Sequence, residues 1–214
     1  MSQKILLLNE NRRIKAIKRG RVLEYFTLGW NLLEAFVAIG AGIIAGSAAL
    51  IGFGLDSLIE CTSGAALLWR LRDGEKGEAR ENTALKLVGV SFLLLAGYVA
   101  FDAGKALILR EPPEASYAGI ILAVLSLIVM PLLAKEKRKV ASALNSRAMK
   151  ADSRQTDICA YLSAILLGGL LLNALFGFWW ADPVAALVMT PIIAKEGIEA
   201  LRGETCRCDE GACH

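Results

Sequence analysis

Apolar runs of roughly 18–25 residues recur along this chain, each long enough to cross a hydrocarbon layer about 30 Å thick. A helix satisfies all its backbone hydrogen bonds internally, so runs of this length predict an all-α membrane protein. Composition agrees: 55% of residues are hydrophobic, 20 are Gly and only 7% are aromatic, a balance suited to closely packed membrane helices. The spacing predicts six spans, over about Val22–Ser47, Ala48–Trp69, Ala84–Leu109, Tyr117–Leu133, Ser153–Phe178 and Pro183–Leu201. Gly46 and Ser47 leave a tight turn between the first two. The stretch Trp179-Trp180-Ala181-Asp182-Pro183 predicts an interfacial aromatic belt followed by a Pro-started helix.

Charge orients the bundle. Of the 24 Lys and Arg, seven precede the first span, five lie in Arg70–Lys86, seven in Lys135–Arg154 and three from Lys195 onward. Lys105 and Arg110 flank the third connection, and the first and fifth connections have none. The positive-inside rule therefore places both termini in the cytoplasm, with the plasma or inner membrane as the expected location. Residues 1–21 read as a basic, lipid-facing segment, because Arg12, Arg13, Lys15, Lys18, Arg19 and Arg21 lack interleaved aromatics and run straight into a span. A nucleic-acid partner is not expected, nor is a cleaved signal. Residues 22–202 form the expected membrane domain and 203–214 a tail too short to fold alone.

Five Cys are present. Cys61 and Cys159 fall within spans, while Cys206, Cys208 and Cys213 crowd the end beside His214, the chain's one His. That pattern suits reduced thiols and a second, soft metal site better than a disulfide framework. A mobile tail with incidental thiols is the plainer reading.

Ionisable groups at membrane depth carry most of the functional signal, because each costs a few kcal/mol to insert. Glu34, Asp56, Glu60, Asp102, Lys105 and Asp157 qualify. Asp102 and Lys105, three apart, can neutralise each other; Glu34 can serve packing or carry a proton. Asp56 and Glu60 stand four apart on one helix face, where they repel unless they share a proton or a cation. Ser153 and Asp157 repeat that spacing in the fifth span, and two such helices can enclose one divalent cation. Cys61, Cys159 and Glu34 are alternative completions of the site.

The run Gly46-Ser-Ala-Ala-Leu-Ile-Gly-Phe-Gly-Leu-Asp56-Ser-Leu-Ile-Glu60 resembles the second-helix signature of the cation diffusion facilitators. Ala151–Asp157 resembles the fifth-helix signature, and Trp180–Leu187 the start of the sixth helix. The resemblance covers nearly all of residues 22–202. It implies six helices and a metal site at Asp56, Glu60, Ser153 and Asp157, with Ser153 standing where the family usually has His or Asp. Glu60 stands where the family usually has Asp. It also implies Zn²⁺ or a similar divalent metal as substrate rather than prosthetic group, exported by proton antiport with Glu34 and Asp102 as accessory proton groups, in a possible homodimer. The family's usual cytosolic domain is expected to be missing, which makes this a membrane-domain-only branch. The alternative function is a non-transporting membrane protein that binds or senses metal through its Cys-rich tail. A membrane enzyme is not expected: outside the tail there is no His, and no Ser or Cys has an evident base.

Overall fold

The structure, a computed structural model, describes residues 2–73 and 78–202. Among the described residues, six helices follow one another: α1 (Ser2–Ala45), α2 (Ala48–Asp73), α3 (Glu78–Leu109), α4 (Tyr117–Leu144), α5 (Arg147–Phe176) and α6 (Ala181–Arg202). The architecture is all-helical, as the apolar runs predict. Four stretches, Arg13–Ala45, Lys86–Leu109, Tyr117–Leu144 and Asp152–Phe176, are long and apolar enough to cross a membrane by length and composition. With α2 and α6 packed among them, the chain is an integral, multi-pass membrane protein.

Several helices outrun the apolar segments that predict them. The first span was expected from Val22, yet α1 is a single helix of 44 residues, about 66 Å long. Hydropathy marks where a helix meets lipid, whereas caps and turns decide where it ends. Asn145, in the left-handed region at φ 48°, closes α4, and Ser146 caps α5 by accepting from the Met149 amide at 3.3 Å. Both helices therefore reach past the apolar runs. At that end Gly20 and Leu23 of α1 pack on Val140 of α4 and Met149 of α5, and a Cβ on Gly20 would meet Met149 Cε at 3.0 Å. Arg19 bridges α1 to Glu136 of α4.

Three pairings build the bundle: α1 against α2, α4 against α5, and α3 against α6. Small residues permit the last. A Cβ on Gly89 would lie 2.8 Å from the Gly197 carbonyl oxygen, so the two backbones touch directly. At the opposite end Gly46 turns the chain with φ +65°, and Ser47 caps α2 through the Leu50 amide at 3.0 Å. The Ser47 hydroxyl donates to Asp182 Oδ1 at 2.5 Å, tying the first turn to the start of α6. The Phe176, Phe178 and Trp180 rings stack at 5.6 and 5.5 Å just ahead of α6. Asp182→Asn should keep the shape but weaken a buried, charge-assisted bond. We expect a loss of about 1.5–3 kcal/mol, seen as a lower thermal midpoint in detergent with unchanged helical content.

Candidate metal centre

Four helices converge on the acids of α2. The 3.6-residue repeat puts Asp56 and Glu60 one turn apart on the same face. Both are buried, as is Cys159 of α5. One ligand atom from each of these three residues lies within 4.8 Å of the others. Around Zn²⁺ the edges of a ligand tetrahedron measure about 3.3–3.8 Å, so a modest contraction would close these atoms on an ion. Neighbouring polar groups fix the carboxylates. Asn31 of α1 donates its amide to Glu60 Oε2 at 2.9 Å. Glu34, fully buried on α1, accepts from Ser126 of α4 and lies 3.3 Å from the Ser57 hydroxyl of α2. Such bonds orient a ligand before the metal arrives.

The residues expected at this site divide into two groups. Asp56 and Glu60 are brought together, with Glu34 close enough to act on both electrostatically. Asp157 lies half-exposed and pairs with Arg138 of α4. Ser153 is buried, and its hydroxyl donates to the Lys150 carbonyl at 2.8 Å. Cys61 is directed at the Leu28 carbonyl at 3.7 Å, outside the three-ligand cluster. Asp102 is also outside it, and its expected neutraliser, Lys105, pairs instead with Glu111 at 3.5 Å. The tail cluster of Cys206, Cys208, Cys213 and His214 lies outside the described residues.

Several ionisable groups of the interior, among them Glu24, Lys137 and Glu196, do not stand out by hydropathy. Glu24 and Lys137 have fully buried side chains, although they sit at the rims of the apolar runs. Glu196 of α6 lies within electrostatic range of Asp56 and Glu60. Spacing could have exposed the first: Glu24, Thr27, Asn31 and Glu34 form one buried stripe on α1 at helical intervals.

Hard carboxylates and one soft thiol are buried together among membrane-crossing helices, a donor set with the chemistry to hold a metal cation. Residues 26–204 match the cation efflux transmembrane domain, and the chain belongs to that family. Transmembrane protein 163 of Xenopus laevis is 27% identical over 187 residues, covering 86% of this chain and 66% of its own length. The uncharacterized transporter MJ0449 of Methanocaldococcus jannaschii is 25% identical over 174 residues, 77% of this chain and 61% of that protein. The uncharacterized transporter sll1263 of Synechocystis is 26% identical over 191 residues, 85% of this chain and 62% of that protein. The chain thus spans somewhat under two thirds of the length of each of these relatives.

Proposed function

We propose that this protein moves a divalent transition-metal cation, Zn²⁺ or a close relative, out of the cytoplasm in exchange for protons. The observation that carries the reading is the convergence of Asp56, Glu60 and Cys159 inside a cation efflux domain. Carboxylates alone suit Mg²⁺, Ca²⁺ and Mn²⁺ as well as Zn²⁺, whereas a sulfur ligand favours the softer ions. Gln155 stands one turn before Cys159 on the same face of α5, where its amide oxygen or a water would complete four-coordination. Charge supplies the coupling. Asp56, Glu60 and a Cys159 thiolate hold a divalent cation with one negative charge left over, and when it leaves three protons neutralise the three ligands, so the site never crosses the membrane highly charged. Glu34, held by two hydroxyl groups beside the site, is suited to pass those protons on.

The termini belong in the cytoplasm on this reading, since the basic segments surround them. The Cys-rich tail would then raise the local metal concentration without forming part of the path. A metal panel in proteoliposomes loaded with a pH dye tests the proposal. We expect Zn²⁺ uptake from the face bearing the basic segments, accompanied by proton movement in the opposite sense, with little response to Mg²⁺ or Ca²⁺. Metal binding without flux in sealed vesicles would favour the non-transporting, tail-based alternative.

A further inference from the structure

We propose that Glu24 and Asp152 form a second cation-binding position on the basic side of the central site, occupied at rest by the ammonium of Lys137, which an arriving divalent cation displaces. Three helices meet there. Lys137 Nζ of α4 lies 3.4 Å from both carboxylate oxygens of Glu24 on α1 and 2.5 Å from Asp152 Oδ2 on α5. The Lys137 and Glu24 side chains are wholly buried, and that of Asp152 is 14% exposed. Glu24 Oε1 and Asp152 Oδ2 both face the ammonium, so two carboxylates share one cation. A buried cluster with two acids to one base calls for an explanation.

Charge gives one. With both acids ionised, two carboxylates and one ammonium leave a surplus of one negative charge, whereas two carboxylates and a divalent cation balance. A buried ion cluster is a weak source of stability, since apolar side chains of similar volume would pack as well. As a binding position, the same surplus is useful. Lysine suits the role of displaceable occupant: its charge sits on a flexible stem and can swing to water once released. Lys135, Arg138 and Lys139 surround it on the same helix end with their side chains outward, so the water it would reach is close. The apolar contact of Gly20, Leu23, Val140 and Met149 packs beside it at that end of the bundle.

A buried polar route leads onward. On α1 the stripe Glu24, Thr27, Asn31, Glu34 climbs about 15 Å, and Asn31 hands it to Glu60. On α5 Asp152, Thr156, Cys159 and Ser163 form a second stripe of about the same rise. Both begin at the Lys137 cluster and pass the central site, and Lys137 itself is near enough to Glu60 to act on it electrostatically.

The inference rests on the proposed transport of a divalent cation, and its test separates the two. Zn²⁺ equivalents are counted by equilibrium dialysis on the purified full chain, with Cys206, Cys208 and Cys213 changed to Ser to silence the tail. In that background, at a Zn²⁺ concentration that fills only the central site of the parent, Lys137→Met should bind one more equivalent, and adding Glu24→Gln or Asp152→Asn should remove it. Lys137→Arg should leave the count unchanged. Asp56→Asn should remove the central equivalent whatever stands at 137, so failure of the central site would show separately. In proteoliposomes, Glu24→Gln and Asp152→Asn each leave Lys137 one carboxylate partner. Each should raise the KM for Zn²⁺ about tenfold while the maximal rate stays within about twofold, because ligand charge sets affinity. If Lys137→Met is folded and binds no extra equivalent, the proposal fails. Should that variant not fold, an unchanged KM in Glu24→Gln and Asp152→Asn overturns it alone.

Discussion

Asp56→Ala is expected to lose metal flux by about two orders of magnitude or more, while the protein remains folded and extractable in detergent. Loss of an outer group that merely orients a ligand already costs about 10–100-fold in metal affinity, and Asp56 is placed to touch the ion itself. Its removal also leaves Glu60 and Cys159 as the two remaining ligands of the cluster. Folding should survive, because Asp56 makes no salt bridge among the described residues. Flux in reconstituted vesicles, with thermal unfolding as the control, separates the two effects. Transport near that of the unaltered protein would remove the α2 acids from the mechanism.

The second large effect separates two residues that stand only two positions apart. Cys159→Ser should weaken Zn²⁺ binding about 10–100-fold and shift preference toward harder ions such as Mn²⁺, since a hydroxyl is a poor substitute for a thiolate. Asp157→Asn should leave Zn²⁺ affinity within about twofold. It breaks a half-exposed pair with Arg138, the kind of contact that contributes about 0–1 kcal/mol. Ser153→His should likewise leave the Zn²⁺/Mn²⁺ ratio unchanged, because that side chain is engaged with the Lys150 carbonyl. Competition between the two metals on purified protein reads all three variants. A collapse of affinity in Asp157→Asn with an intact Cys159→Ser would reverse the assignment.

That pair shows why one half of the site could be read from sequence and the other could not. Asp56 and Glu60 repeat at one helical turn inside an apolar run, so their shared face and their cost are visible without coordinates. On α5, Ser153 and Asp157 show the same spacing, but spacing alone does not say which side of a helix turns inward. Successive residues advance about 100°, so Asp157 and Cys159 point nearly opposite ways. Packing decides between them: Cys159 is buried against the bundle and Asp157 meets Arg138. The family resemblance pointed to α5, and the cluster of ligand atoms meets that helix at Cys159. The resemblance also brought attention to the spacing of the acids rather than to the face occupied by the thiol.

Helix number and order were similarly legible, because every helix carries its apolar run. The long ends were not. Residues 2–21 of α1 and the last turns of α4 contain many Lys and Arg, which are good helix formers that hydropathy excludes from a span. Lys137 lies just beyond the expected fourth span, and Glu24 in the first turn of the expected first span. Each lies where an apolar run meets a basic segment, and only the meeting of α1, α4 and α5 shows that they are buried together.

The ligand shell of a bound ion tests the central assignment most directly. X-ray absorption at the zinc edge would be measured on purified protein holding one Zn²⁺, with the three tail cysteines changed to Ser. The account predicts one sulfur at about 2.3 Å with the remaining ligands oxygen at about 2.0–2.2 Å. That sulfur should vanish in Cys159→Ser and persist in Cys61→Ser. A shell of oxygen and nitrogen alone in the parent protein, or a sulfur that survives Cys159→Ser, would contradict the site built from Asp56, Glu60 and Cys159.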